Sequence, residues 1–349
     1  MNPAYKGAYT AIVTPFTRDG LRIEFNDLRV LSEFQAKYEI SGIVSVGTTG
    51  ESPTLTWEEH TGAFRSTFDA VGSKVTVIAS TGSNNTNESL EGTRTAFDMG
   101  IRDALLVDPY YNGPSSLEVR REYLEPVAAA FPEVRVIPYI IPGRTGTQLL
   151  AQDLAMANER YRNICAVKEA TGDFNNMKLI RKLCGNDFTI LSGDDDKTLQ
   201  MMLDQEVNCS GVISVISNVA PKSVQEMCQF ALRGDLDNAR SMAGALKPLF
   251  EIVTVKTVEE TNRGQVPFKA RNPLPIKTLM GILGMPGGPL RRPLGRMTRQ
   301  GLQVVLDQAS KVHKQNPEVF EPLASFFDID VAERLTNPRY LEGWYYDSY

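Results

Sequence analysis

A lysine that closes a run of apolar residues is the first candidate for covalent chemistry here. Ile164-Cys165-Ala166-Val167 reads as a buried strand, and Lys168 ends it, followed by Glu169-Ala170-Thr171-Gly172-Asp173. Such a lysine points either to solvent or into an enclosed mouth. Inside a mouth, desolvation disfavours the ammonium and frees the amine to attack a carbonyl. An ion pair with Glu169 or another nearby carboxylate is the competing role, and this strand alone favours neither. Three other strand ends carry usable groups. In Gly47-Thr48-Thr49-Gly50-Glu51-Ser52 the glycines free backbone amides and hydroxyls to face a ligand carboxylate. A plain turn capped by Ser52 or Thr54 has the same composition. Tyr139, followed by Pro142-Gly143-Arg144-Thr145-Gly146, offers a phenol that shuttles protons and a guanidinium that grips a carboxylate. A solvated loop charge accounts for Arg144 equally well. Asp108-Pro109-Tyr110-Tyr111-Asn112 adds two tyrosines, with aromatic packing as the plain alternative.

Composition narrows the remaining chemistry. Only His60 and His313 are present, which leaves little for Ser-His-Asp or Cys-His schemes, or for a zinc site needing several histidines. A carboxylate-only magnesium site stays open, but neither a metal nor an organic cofactor is expected. The four cysteines, Cys165, Cys184, Cys209 and Cys228, form no CxxC pair and suit a reducing compartment. Net charge is -5 and pI about 5.4, so no basic field for nucleic acid exists. The cluster Arg291, Arg292 and Arg296 reads as a short solvated loop. Met1 to Tyr9 has no signal pattern and no apolar run is long enough to span a membrane, so a soluble cytoplasmic protein is expected.

The elements that must position these groups follow from periodicity. Eight short, β-branched apolar runs recur: Thr10–Val13, Ile43–Val46, Val75–Ala79, Ala104–Val107, Val134–Ile141, Ile164–Val167, Phe188–Leu191 and Val212–Val215. Their continuous apolarity suits parallel strands buried on both faces. Amphipathic helices lie between them. Thr56-Trp57-Glu58-Glu59 reads as a capping box, and Ser115 and Ser116 are candidate caps before Leu117–Leu124. Eight strand–helix alternations point to an α/β fold, a TIM (β/α)8 barrel, over an open doubly wound sheet, and no GxGxxG turn follows Val13. The barrel is expected over 1-233 and a C-terminal helical region over 234-314. After the eighth strand the chain reads as helical over Gln225–Leu232, which closes the barrel range, and then over Asp237–Phe250, Ile276–Leu283 and Gly301–Val312. Gly264–Asn272, polar and interrupted by proline, reads as a loop. The extension 315-349 is expected to pack as an ordered tail on the barrel or on a neighbouring subunit.

Six segments in register resemble the dihydrodipicolinate synthases, members of the pyruvate-dependent aldolase superfamily that also contains N-acetylneuraminate lyase. They are Gly47-Thr48-Thr49-Gly50-Glu51, Pro109-Tyr110-Tyr111-Asn112, Tyr139 with Pro142-Gly143-Arg144-Thr145-Gly146, Val167-Lys168-Glu169-Ala170-Thr171-Gly172, Ser192-Gly193-Asp194-Asp195 and Gly211-Val212-Ile213-Ser214-Val215. The likeness covers roughly residues 5 to 312, most of the barrel and the helices after it. It implies a lysine Schiff base: Lys168 condenses with pyruvate, and the resulting enamine attacks L-aspartate 4-semialdehyde to give 4-hydroxy-tetrahydrodipicolinate. It further implies that Tyr139 is the acid/base group, linked through Thr48 to Tyr111, which reaches in from a partner subunit. Thr49, Gly193 and the Ile213 carbonyl would line the pyruvate pocket, and Arg144 would receive the second substrate's carboxylate. A homo-oligomer, dimer or tetramer, is implied.

Departures from the family pattern are local. Ile140 stands where asparagine is usual, and should face away from the mouth if Tyr139 faces in. Pro138 is also unusual. The segment Glu251–Pro275 is longer than typical and the chain beyond about Lys314 is extra; neither is expected to touch the motifs. Ile140 leaves open a 2-keto-3-deoxy sugar-acid aldolase or related pyruvate lyase, although Arg144 argues against it. Some synthases are inhibited by lysine between subunits, and the matching positions are Trp57, His60, Asn84, Glu88 and Tyr110. Glu88 could hold an ammonium, Asn84 a carboxylate, and Trp57 the aliphatic stem. A helix with a surface tryptophan and satisfied polar groups fits the same residues.

Overall fold

The computed structural model describes residues 4–349; Met1 to Pro3, part of the segment read as lacking a signal, lie outside the described residues. Eight parallel strands close into a barrel: β1 (Gly7–Ala11), β2 (Gly42–Ser45), β3 (Thr76–Ser80), β4 (Asp103–Val107), β5 (Arg135–Ile140), β6 (Ala166–Glu169), β7 (Thr189–Ser192) and β8 (Gly211–Ser214). Each apolar run overlaps its strand, with ends shifted by up to three residues. The sixth extends further than its apolar run, because Lys168 and Glu169 pair with Leu191 and Ser192 of β7. Closure brings β8 against β1 with Gly211 opposite Gly7, where a Cβ on Gly211 would lie 1.9 Å from the Gly7 carbonyl oxygen. No larger residue fits that seam.

Alternation along the strands sorts side chains into two shells. Tyr9, Ala11, Val44, Ile78, Leu105, Ile137, Tyr139, Ala166, Leu191 and Ile213 fill the barrel interior, with Tyr5 below them. Their neighbours in sequence, among them Ile140 and Val167, point outward into the layer beneath the helices. The expected outward orientation of Ile140 is therefore found.

The helices around the barrel are α1 (Phe25–Lys37), α2 (Trp57–Val71), α3 (Thr86–Asp98), α4 (Ser116–Glu118), α5 (Glu125–Ala130), α6 (Pro142–Thr145), α7 (Ala151–Arg160), α8 (Phe174–Cys184), α9 (Thr198–Leu203) and α10 (Pro221–Leu232). Thr56 and Glu59 form the expected capping box on α2, and Ser115, rather than Ser116, caps α4 with Glu118. A π-helical stretch, Val119–Leu124, joins α4 to α5. Beyond the barrel lie α11 (Leu236–Glu251), α12 (Leu274–Leu283), α13 (Arg299–Gln315), α14 (Glu321–Phe327) and α15 (Val331–Thr336). Among the described residues no helix is long and apolar enough to cross a membrane.

Two expectations are overturned here. Gly264–Asn272 is not a loop: β9 (Thr254–Thr261) and β10 (Gly264–Arg271) form an antiparallel hairpin. Pro267, the residue that suggested a loop, is tolerated because a two-stranded ribbon has only edge strands. Nor is Arg291 a solvated charge. Its guanidinium grips both Glu59 carboxylate oxygens at 2.7 and 2.8 Å and donates to the carbonyls of Gly20, Leu21 and Thr54. It also lies over the Phe16 ring, tying the segment after α12 to the start of α2. The C-terminal tail packs on its own chain. Phe326 and Phe327 meet Phe34 of α1, Tyr38 donates to the Pro322 carbonyl, and Trp344 covers Gly281 of α12.

Candidate active site

β5 and β6 pair directly, with Tyr139 opposite Lys168, so the two side chains emerge on the same inner face at the C-terminal mouth. Lys168 is buried at 5% exposure, and its Nζ sits 4.0 Å from the centre of the Tyr139 ring. Among the described residues no carboxylate lies within ion-pair distance of this amine. The alternative pairing with Glu169 is absent: that carboxylate accepts from the Thr171 hydroxyl and amide and from Asn176 Nδ2. Burial raises the Glu169 carboxyl to about 7, partly offset by those donors. Burial also raises Asp194, with the charge of Lys168 opposing the shift.

A second buried lysine supplies the contrast. Lys277 of α12 is fully buried, but its Nζ binds Glu51 Oε1 at 2.7 Å and the Thr14 and Pro289 carbonyls at 2.9 Å. Glu51 is held in the left-handed region at φ 59°, and its other oxygen accepts from the Arg291 amide. An ammonium satisfied in this way is structural; with its donors all engaged, nothing is left to attack a carbonyl. Sequence reasoning missed Lys277. The available signal was a lysine inside the otherwise apolar run Pro275-Ile276-Lys277-Thr278-Leu279.

The other expected groups assemble around Lys168 in different degrees. A Cβ on Gly193 would lie 3.2 Å from Lys168 Cε and 2.7 Å from the Ala170 Cβ, so this glycine makes room for the lysine stem. Ile213 is buried in the barrel interior beside Tyr9. Thr49 is buried and its hydroxyl accepts from Asn272 Nδ2 at 3.0 Å. Thr48 is half-buried beside it. Arg144, on the one-turn helix α6, is solvent-accessible and donates to the Asn272 carbonyl at 2.9 Å. Desolvation at the mouth disfavours its charged form, Tyr139 favours it, and Arg271 opposes it.

The expectation that the long segment Glu251–Pro275 stays clear of the motifs is therefore corrected. Asn272 joins Thr49 to Arg144, and Arg271 donates to the Gly143 carbonyl at 3.1 Å. The hairpin, of which only the second strand falls in the expected loop, carries its own end into the mouth.

Tyr111 is not brought into the site by its own chain. It is 94% exposed, and among the described residues no hydrogen bond joins it to Thr48 or Tyr139. Its φ is 81°, and the Asn112 amide donates to the Tyr110 carbonyl across it, the marks of the rare γ-turn. A bulky side chain held outward by unfavourable backbone geometry is a feature that function, not folding, has to explain.

The five residues of the possible control site do cluster. The Trp57 and His60 rings are 4.6 Å apart, and Trp57 lies on Gly92 of α3. Glu88 acts electrostatically on both His60 and Tyr110, while Asn84 Oδ1 accepts from the Tyr110 amide at 2.7 Å. Burial lowers the His60 basicity, its Nε2 contacts the Ser52 carbonyl at 3.1 Å, and its buried Nδ1 has no partner among the described residues.

Residues 4–312 match the Dihydrodipicolinate synthetase family. A 4-hydroxy-tetrahydrodipicolinate synthase of Methanococcus vannielii is 40% identical over 294 residues, covering 84% of this chain and 94% of that protein. The structure of dihydrodipicolinate synthase from Cyanidioschyzon merolae with lysine bound superposes at TM-score 0.81 and 32% identity, covering 89% of this chain and 99% of that one. The chloride-inhibited dihydrodipicolinate synthase of Acinetobacter baumannii, complexed with pyruvate, gives TM-score 0.79 at 32% identity, over 88% and 98% of the two chains.

Proposed function

This chain belongs to the Dihydrodipicolinate synthetase family, and from that premise we propose that it is a 4-hydroxy-tetrahydrodipicolinate synthase, a lyase that condenses pyruvate with L-aspartate 4-semialdehyde through a Schiff base on Lys168. The observation that carries the residue assignment is the contrast between two buried lysines. Lys277 is neutralised by Glu51 and two carbonyls, while Lys168 has none of these partners and faces the mouth.

The chemistry follows from that amine. Lys168 Nζ attacks the keto carbon of pyruvate, and loss of water leaves an imine. Once protonated, the imine draws electrons from the adjacent methyl group, so a methyl proton leaves and an enamine forms. The enamine carbon adds to the aldehyde carbon of the second substrate, whose oxygen takes up a proton. The substrate's own amine then displaces Lys168 and closes the ring. Tyr139 serves as the acid/base group: it stands opposite Lys168 in the ladder with its ring against the amine, which puts a phenol on the same wall of the mouth. Thr49, with the neighbouring amides, holds the pyruvate carboxylate, while Gly193 and Ile213 shape the pocket. Arg144 receives the aldehyde's carboxylate.

Tyr111 of the partner subunit completes the proton relay through Thr48, which requires a homo-oligomer, dimer or tetramer. Its near-total exposure and outward γ-turn support that role. The clustering of Trp57, His60, Asn84, Glu88 and Tyr110 supports a lysine-binding control site, and calorimetric titration with lysine gives saturable heat if this holds. Four free thiols suit a cytoplasmic enzyme. The substrate assignment is tested by supplying pyruvate with aspartate semialdehyde or with small sugar aldehydes. Turnover confined to the sugar aldehydes would overturn it in favour of a 2-keto-3-deoxy sugar-acid aldolase.

A further inference from the structure

The hairpin of β9 and β10 has two unlike faces. Val255 and Ala270 are opposite each other in the ladder, buried at 1% and 2% exposure, and join the core. The other face carries Lys256 directly opposite Lys269, with Arg271 two residues further along β10. Like charges placed opposite in a ladder cost stability, so this face is not arranged for the hairpin's own benefit. Among the described residues none of Lys256, Lys269, Arg271 or Arg144 makes an ion pair with a carboxylate.

These cations converge on the mouth. Arg271 donates to the Gly143 carbonyl at 3.1 Å, one residue before Arg144, and Arg144 donates to the carbonyl of Asn272, one residue after Arg271. The two guanidiniums are thus each anchored to the other's neighbour. Lys269 feels the charges of Arg271, Lys256 and Arg144, which lower its affinity for a proton. Converging cations with no acidic partner form a site that lacks only its anion.

We infer that this basic face is the outer anion subsite of the active site, with Arg271 a specificity-determining residue that receives the carboxylate of the incoming aldehyde and passes it to Arg144. The inference rests on the synthase reading above and adds to it an outer contact: the aldehyde's acid group meets the hairpin's cations before it reaches Arg144 and Lys168. Pyruvate, bound deeper by Thr49, meets Asn272 at the end of the hairpin but none of the hairpin's cations.

Steady-state kinetics of Arg271→Gln, Lys269→Gln and Arg271→Lys, with aspartate semialdehyde and pyruvate varied separately, test this. Arg271→Gln raises the KM for the aldehyde roughly ten-fold, the loss of one charge-assisted contact, and leaves the KM for pyruvate unchanged. Lys269→Gln, which removes no protein hydrogen bond, gives a smaller rise in the same constant. Arg271→Lys keeps most of the parent's affinity. An aldehyde KM within two-fold of the parent in both glutamine variants would overturn the inference, as would a parallel rise in the pyruvate KM. Loss of inhibition by added sulfate with an unchanged aldehyde KM would assign the face to a free anion instead of the substrate. If the parent itself turned over no aspartate semialdehyde, the synthase reading would fall, an outcome distinct from a working parent with unaffected variants.

Discussion

Gly193 shows how little space separates a working lysine from a blocked one. A methyl group there would press on Lys168 Cε and on the Ala170 Cβ. Gly193→Ala should lower kcat/KM for pyruvate by about ten-fold or more, because it misplaces the reacting amine, and the clash with the fixed Ala170 Cβ should also cost about 1–3 kcal/mol in denaturant melts. Asp108, at the end of β4, gives a residue-scale prediction for pH. Burial raises its carboxyl to about 7, with the Leu149 amide opposing the shift. A folded value above the unfolded one means that folding favours the protonated acid. The destabilisation is absent below about pH 4, grows as pH rises, and is complete above about 7. Asp108→Asn removes this titration, so its stability relative to the parent should improve by on the order of 2 kcal/mol between pH 5 and pH 8 in denaturant melts. A difference independent of pH would show that Asp108 is ionised throughout. The placement of these candidates was legible in the sequence, because Lys168, Thr49 and Arg144 follow, and Tyr139 nearly closes, apolar runs that end where a parallel barrel opens. Asn272, Glu51 and Lys277 were not. Their partners lie more than two hundred residues away in the chain, and nothing in local composition announces a long-range contact.

Among the elements, the strands and helices were legible from their apolar spacing, and the start of α2 from its capping box. The hairpin was not, because Pro267 and the polar alternation of β10 fit a loop as well as an edge strand. Arg291 was misread for a related reason: three arginines in a short stretch look solvated until the fold supplies a carboxylate and three carbonyls for one of them. Arg291 thereby fastens the segment after α12 to Glu59, whose carboxylate also closes the α2 capping box. Arg291→Ala leaves Glu59 and the three carbonyls without their shared donor. It should cost about 2–4 kcal/mol in urea unfolding, against about 0.5 kcal/mol for Arg292→Ala on the same stretch. Equal effects would mean that the contacts at Arg291 are replaced by water at no cost.

For the molecule as a whole, the barrel does one thing for the chemistry: it brings a lysine and a tyrosine from adjacent strands into a buried mouth where, among the described residues, no carboxylate lies within ion-pair distance of the amine. The family match ends at residue 312, and the tail beyond it packs against α1 and α12 on its own chain. Tyr111 is the one proposed catalytic group that a single chain leaves outside, so assembly and activity should be lost together. The identity of the nucleophile is the point on which the remaining assignments depend. Borohydride reduction in the presence of pyruvate, followed by peptide mass mapping, tests it directly. A stable pyruvate-derived adduct is expected on the peptide containing Lys168, absent in Lys168→Arg and absent from the peptide containing Lys277. An adduct on Lys277, or none on any lysine while turnover continues, would contradict it.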